Sequence, residues 1–170
     1  MSDGLNPALE EARFCPRCGQ PATVSYPRSI SCPHCGSGAY YNPKPVAAAI
    51  PITAANEIVL LRRGFEPGKG LWTFPGGFVD LGETVEDAAR REAQEEIRAD
   101  VELERLVGVY SRGEERVVLI VFAATIADAP QTTDEAPEVH AFAPDEIPWD
   151  ELAFWSTTNA LRDFLSAGSR

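Results

Sequence analysis

Apolar positions along this chain fall mostly in short runs divided by glycine, proline and acidic residues, with one longer stretch of a different period. Residues 46–53 and 57–63 are apolar segments on either side of Ala54-Ala55-Asn56, the pattern of a hairpin or meander. A basic, glycine-rich loop, Arg62-Arg63-Gly64-Phe65-Glu66-Pro67-Gly68-Lys69-Gly70, leads into a strand at 72–75. Further strands are expected at 103–109, 116–127 and 139–142, the first two joined by the charged loop Ser111-Arg112-Gly113-Glu114-Glu115. Residues 84–97 differ: Val85, Ala88, Ala89, Ala93 and Ile97 recur at helical spacing, behind a glycine, with Glu83 and Glu86 near the positive end and Thr84 or Glu83 as cap. A last helix is expected at 157–165, and the acidic, proline-containing stretch 128–137 reads as a mobile loop. Strands flanking two helices on a mixed sheet make the fold class α/β, a sandwich rather than a bundle.

Ahead of this pattern the chain is organised differently. Residues 1–12 read as a polar tail, residues 13–41 as a small module, and Tyr40-Tyr41-Asn42-Pro43-Lys44-Pro45 as a stiff connector into a main domain at 42–168. The chain's four cysteines all lie in the module, as Cys15-Pro-Arg-Cys18 and Cys32-Pro-His-Cys35, each pair followed by a glycine. Two such knuckles thirteen residues apart have the spacing of a tetrahedral zinc ribbon, so structural Zn²⁺ on Cys15, Cys18, Cys32 and Cys35 is the expectation. Gly19 and Gly36 let the backbone curl toward the thiolates. His34 reads as a surface residue inside its knuckle.

Charge narrows the functional classes. With 170 residues, 44% of them apolar, and a net charge of -11, the chain reads as a folded domain that would repel a nucleic-acid backbone or an anionic bilayer. No run approaches the roughly 18 apolar residues of a membrane span. The start lacks the features of a signal peptide, so a cytoplasmic location is expected. A small phosphorylated substrate stays open, because a bound divalent ion inverts the field of the protein's own carboxylates.

The chemistry gathers around the helix at 84–97. Gly76-Gly77-Phe78-Val79-Asp80-Leu81-Gly82-Glu83 is a tight loop entering it, and Glu92, Glu95 and Glu96 recur at intervals that put all three carboxylates on one face. Like charges held that close require a counter-charge, for which Mg²⁺ or Mn²⁺ is the natural choice beside a phosphate.

Gly77, Glu83, Arg91, Glu92, Ala93, Glu95 and Glu96 fall on the positions of the Nudix box, and the chain resembles the Nudix hydrolases. It departs at the close of the box, where Arg98 stands in place of glycine and Ala99 in place of a larger aliphatic residue. The zinc-ribbon module, the Tyr40 to Lys44 connector and the tail pieces Phe142 to Trp149 and Leu152 to Phe154 resemble a subgroup that includes plant FAD pyrophosphatases. The selector motif of NADH pyrophosphatases has no counterpart, and Gly113 to Arg116 occupies the stretch where many ADP-ribose hydrolases carry a proline.

The resemblance implies a Nudix α/β/α sandwich and divalent-metal-dependent hydrolysis of the pyrophosphate link in a nucleoside diphosphate derivative, FAD or ADP-ribose first. It implies that Glu92 and Glu96 hold the principal ion, that Glu95 is a further ligand or orients water, and that Glu83 supports a second ion. Arg91 would fix a catalytic carboxylate by a salt bridge, and Gly76 and Gly77 would bring backbone amides to the phosphate. Glu138 matches a recurrent glutamate of the subgroup and rivals Glu95 as general base. Arg62, Arg63 and Lys69 are candidates for offsetting substrate charge, and Phe65, Trp72, Tyr110 and Trp149 for stacking on a base. Asp134, Glu135 and His140 read as solvated or structural. A homodimer is the family expectation. Two other functions stay open: hydrolysis of a nucleoside triphosphate to the monophosphate, and a catalytically silent protein that senses a nucleotide.

Overall fold

The computed structural model describes residues 5–167; residues 1–4 of the expected tail, and residue 168 at the end of the expected main domain, lie outside it. The chain divides into two compact units, one running through Lys44 and including Arg112–Val117, the other made of Pro45–Ser111 and the residues from Val118 onward.

The first unit is built on a three-stranded antiparallel sheet of β1 (Thr23–Ser25), β2 (Ser29–Ser31) and β3 (Gly38–Tyr40). The turn at Arg112–Val117 belongs to it, and the Lys44 amide donates to Arg116 O at 2.8 Å. Residues expected as a polar tail contain a short helix instead, α1 (Pro7–Glu10), with Pro at its start and Leu9 only 1% exposed. Asn6 ties it down, its side chain donating to Pro27 O at 2.7 Å and its backbone N–H to the Tyr26 hydroxyl at 3.2 Å.

The second unit centres on a seven-stranded mixed sheet with flanking helices. Its main order is β10 (Glu138–Phe142), β5 (Ile58–Arg62), β4 (Lys44–Ile52), β9 (Val117–Ile126) and β8 (Val101–Tyr110), with β6 (Trp72–Thr73) on β5 and β7 (Gly76–Phe78) on β4. β4 is central, and its near-continuous apolar run is what a strand covered on both faces requires. Ala48 and Ile50 point to one face, with Ile58, Leu60, Trp72 and Phe142, where α3 (Trp155–Ala167) packs through Ala160 and Leu161. Ala47 and Ala49 point to the other face, with Val59 and Leu61, where α2 (Val85–Ile97) packs through Ala88, Ala89, Ala93 and Ile97. Alanines on both surfaces bring α2 close to the sheet.

The stretch expected as a strand at 72–75 is divided. β6 pairs with β5, then the chain steps across at Phe74 and Pro75 so that β7 pairs with β4. Gly76 is required there, because a Cβ would stand 2.9 Å from Ala47 O and Ala48 Cα. At the head of α2, Thr84 Oγ1 accepts from the Asp87 amide at 3.1 Å, which settles the cap on Thr84. Past its other end, Arg98 adopts the left-handed conformation, φ 54°. The stretch expected as a mobile loop serves that same end. The Gln131 amide donates to Ile97 O at 2.8 Å and Thr133 Oγ1 to Glu96 O at 3.0 Å, satisfying carbonyls the helix leaves open, while Ala136 is fully buried.

Candidate active site and cysteine centre

Strand β7 packs against the α2 face that carries Glu92 and Glu96, and its two glycines define the fit. The Gly76 amide donates to Glu96 Oε2 at 2.8 Å. A Cβ on Gly77 would fall on the Glu92 carboxylate. Missing side chains therefore let two successive backbone positions meet two box carboxylates one helical turn apart.

Arg91 organises the rest. Its Nε donates to Glu83 Oε2 at 3.1 Å and Nη2 to Glu83 Oε1 at 2.8 Å, a bidentate pair. Nη1 donates to Glu92 Oε1 at 2.7 Å and Glu95 Oε2 at 2.9 Å, and Nη2 also reaches Phe78 O at 2.9 Å. Glu83 Oε1 accepts in addition from the Asp80 amide at 2.7 Å. The counter-charge demanded by the grouped carboxylates is thus met here by a guanidinium. Instead of one cation-sized cluster, Glu83, Glu92 and Glu95 fan around Arg91, and Glu96 turns to the Gly76 amide.

These environments move the carboxyls apart. The Arg91 hydrogen bonds, with the Asp80 amide, hold Glu83 below the usual carboxylate range. Burial raises Glu92 against the pull of Arg91. Burial also pushes Glu96 up to about 7, opposed by the Gly76 amide and aided by the negative charge of Glu92. The Arg91 guanidinium is raised, first by its hydrogen bonds to Glu83. Glu92 Oε2, Glu95 Oε1 and Glu96 Oε1 make no hydrogen bond among the described residues, and no buried side-chain oxygen lacks a partner, so these oxygens remain open for a further ligand. Hard oxygen donors of this kind suit Mg²⁺ or Mn²⁺.

The remaining candidates separate by face. On β10 and β5, Glu138 pairs with Arg62, in register with His140 opposite Leu60 and Phe142 opposite Ile58. Leu60, Ile58 and Phe142 pack on the α3 side, so alternation places Glu138 and Arg62 there too, on the opposite face from α2. Arg62 is spent within that face: Nε on Glu138 Oε2 at 2.8 Å, Nη1 on Gly70 O at 2.6 Å and Glu151 Oε2 at 3.2 Å, with its guanidinium 4.5 Å from the Trp72 ring. Trp72 is 3% exposed, too enclosed to stack on a ligand. Tyr110 donates to Asp163 Oδ2 at 2.8 Å, joining β8 to α3. Lys69 and Phe65 are exposed on the loop after β5, and Trp149 is half-buried under Arg162. Burial lowers the Arg63 guanidinium, opposed by the negative charge of Glu96. Phe154, which stacks on Arg63, and Glu151, which holds Arg62, were not among the sequence candidates; only three-dimensional packing reveals them.

In the first unit the sulfurs of Cys15, Cys18, Cys32 and Cys35 lie within 4.8 Å of one another, a set that could hold a metal ion. Cys15 and Cys35 are 3.8 Å apart and Cys18 and Cys32 3.6 Å apart, so none is joined in a disulfide. The two knuckles repeat each other: Gly19 and Gly36 have φ 71° and 69°, and their amides donate to Cys15 O and Cys32 O at 2.9 and 3.0 Å. The Arg17 amide points at Cys15 Sγ from 3.4 Å.

Comparison with known proteins accounts for this architecture. The chain is 38% identical over 104 residues to an ADP-ribose pyrophosphatase of Methanocaldococcus jannaschii, covering 58% of this chain and 60% of that one. It is 31% identical over 110 residues to an NAD-capped RNA hydrolase of Haemophilus influenzae, covering 61% of this chain and 40% of the relative. The chain thus spans less than two thirds of the length of either relative. A crystal structure of a NUDIX hydrolase from Nitrosomonas europaea superposes with a TM-score of 0.81 at 34% identity, covering 91% of both chains. The NUDIX domain model matches residues 43–166, and the chain belongs to the Nudix hydrolases.

Proposed function

We propose that this protein hydrolyses the pyrophosphate link of a nucleoside diphosphate derivative of the FAD or ADP-ribose type, using a divalent ion held by Glu92 and Glu96 with Glu95. The observation that carries it is the seating of Glu92 and Glu96 against the bare backbone of Gly77 and Gly76, with oxygens left over for a ligand. The ADP-ribose pyrophosphatase among the relatives supports the substrate class. The chemistry a divalent ion supplies there is polarisation of phosphoryl oxygens and neutralisation of the departing phosphate. Arg91 holds Glu92 and Glu95 in position, and Glu83 holds Arg91 in turn through its bidentate pair. Glu83 Oε1 is taken by Arg91 and Asp80 and Oε2 by Arg91 alone, so its first role is to anchor the arginine, and a second ion would have to share Oε2. Glu95 is exposed and has a free Oε1, which makes it the preferred acceptor for the proton of the attacking water. Glu138, paired to Arg62 on the α3 side, is the less direct choice.

For the first unit we propose a structural Zn²⁺ on Cys15, Cys18, Cys32 and Cys35. A tetrahedron with zinc–sulfur bonds of about 2.3 Å has edges of about 3.8 Å. The sulfur pairs at 3.8 and 3.6 Å match those edges.

Substrate class is decided by products. FAD, ADP-ribose, NADH and a panel of deoxynucleoside triphosphates are incubated with the protein and Mg²⁺ or Mn²⁺, and products are separated by chromatography. AMP with FMN, or AMP with ribose 5-phosphate, is the expected outcome. Pyrophosphate released from a deoxynucleoside triphosphate, without cleavage of the others, would replace this reading with triphosphate hydrolysis. Tight nucleotide binding without turnover would favour a sensor.

A further inference from the structure

Arg63 is built into a rigid position, with its Nη1 and Nη2 left unpaired among the described residues. It stands where β5 gives way to the glycine-rich loop, its amide donating to Leu71 O at 3.0 Å and its carbonyl accepting from the Gly70 amide at 2.8 Å. The side chain is equally constrained. Nε donates to Pro67 O at 2.7 Å, and the guanidinium carbon lies 4.8 Å from the Phe65 ring and 5.1 Å from the Phe154 ring. Gly68, at φ +78°, passes beside the stem, where a Cβ would lie 3.6 Å from Arg63 Cδ and 3.7 Å from Phe154 Cζ. A planar cation between aromatic faces loses little further entropy when it binds.

Its Nη1 and Nη2 make no hydrogen bond or ion pair among the described residues. Yet Glu96, Glu66 and Glu135 all act on the guanidinium through their charge, while half-burial opposes that charge. None of these carboxylates is within ion-pair distance of Arg63. The backbone beside Arg63 is fixed against the segment that also reaches Glu96: the Gly64 amide donates to Glu135 O at 2.8 Å, a Cβ on Gly64 would stand 2.8 Å from Asp134 O, and Thr133 Oγ1 donates to Glu96 O at 3.0 Å. Arg62 next door has spent its Nε and Nη1 within the fold.

We infer that Arg63 is the chain's own phosphate contact, its Nη1 and Nη2 donating to non-bridging oxygens of the substrate diphosphate beside Glu96. The inference rests on the hydrolytic site being the one at Glu92 and Glu96, and it assigns to that site an anion-binding arm from outside the box. Of the basic residues in the loop, Arg63 has both the pre-organisation and the unused fork that phosphate recognition needs.

The test is calorimetric binding of inorganic pyrophosphate to the full chain in the presence of Mg²⁺. Arg63→Gln keeps the stem between Phe65 and Phe154 but removes the charge, and should weaken pyrophosphate about tenfold or more. Arg63→Lys should fall between Arg63→Gln and wild type, because it keeps the charge and loses the fork. Arg90→Gln, an equal change of charge at an exposed α2 position, should stay within about twofold of wild type. Wild-type affinity in a folded Arg63→Gln overturns the inference. If Arg63→Gln does not fold, Arg63→Lys decides: a folded Lys variant that binds pyrophosphate as wild type does makes the arginine purely structural. Failure of the wild type to cleave FAD and ADP-ribose would reject the substrate class and leave these affinities readable.

Discussion

Burial and the metal-binding role proposed for Glu96 pull its proton in opposite directions. The residue is 5% exposed, accepts from the Gly76 amide, and in the metal-free chain its carboxyl is pushed up to about 7, chiefly by burial. A folded-state value above the ordinary 4.5 means that the folded chain binds the extra proton between those limits. The associated stability is present below about 4.5 and is lost as pH rises through about 7. Relative to Glu96→Gln, the metal-free wild type should therefore lose melting temperature between pH 5 and pH 8, as a paired thermal titration would show. If Glu96 holds the ion as proposed, Mg²⁺ should stabilise the wild type more above pH 7 than below it, and the Gln variant at neither. The same substitution tests the active site. Glu96→Gln keeps an oxygen for the Gly76 amide but removes the charge, so turnover should fall about a hundredfold or more while the fold stands. Glu86→Gln, on the exposed first turn of α2, should cost less than about threefold under the same saturating Mg²⁺. Equal small losses in both would remove Glu96 from the metal site.

Helix α2 shows how a motif is turned into geometry, and where its unusual ending leaves a cost. Arg98 takes the place of the box glycine and still adopts φ 54°, with its amide donating to Gln94 O at 3.2 Å. A side chain in that conformation costs about 1 kcal/mol or more, partly offset because glycine has more freedom to lose on folding. Arg98→Gly should therefore stabilise the chain by about 0.5–1 kcal/mol, raising the melting midpoint by a few degrees without changing turnover. A lower midpoint would mean that the exposed side chain contributes more than the backbone penalty. This helix was readable beforehand because its cap, apolar stripe and box positions all lie within one short window. The glycine–carboxylate contact was readable only as a motif: that a Cβ at Gly77 would strike Glu92 depends on packing across β7 and α2. Elsewhere local pattern competed with tertiary pairing. The run at 72–78 looks like one strand, yet Phe74 and Pro75 carry it from β5 to β4. The acidic 128–137 stretch looks mobile, yet Gln131 and Thr133 close the end of α2. Glu138 matched by sequence position, while alternation along β10 sets it on the α3 face with Arg62, a distinction that needs the register as well as the residue.

Two compact units in one chain raise the question of what holds the smaller one, whose apolar core is slight. Among its described residues Leu9, Cys15, Ile30 and Cys32 are the buried apolar side chains, too few to offset the entropy of ordering about forty residues. Two of the four are cysteines, so one half of the sulfur cluster, Cys15 and Cys32, is part of the unit's small core. Its backbone ties run outward from the knuckles: the Cys15 amide to Gln20 O at 2.7 Å, the Cys32 amide to Ser37 O at 2.8 Å, the Tyr41 amide to Arg28 O at 2.7 Å and the Lys44 amide to Arg116 O at 2.8 Å. If Zn²⁺ supplies the missing stability, as proposed, each chain should carry about one zinc by elemental analysis. Chelation should then unfold this unit as a whole, because Leu9 and Ile30 are too small a core to sustain it. Hydrogen exchange would show this as lost protection at the Cys15, Cys32, Tyr41 and Lys44 amides, while amides in the middle of α2 and on β5 stay protected. Cys15→Ser should reproduce the pattern without a chelator. The Lys44 amide is the informative one, since its acceptor is Arg116 in the turn between β8 and β9: loss of protection there would carry the effect of a cysteine ligand to a turn about a hundred residues away along the chain. Protection that survives both chelation and Cys15→Ser would show that the thiols pack as small apolar side chains and that metal is not what holds the unit together.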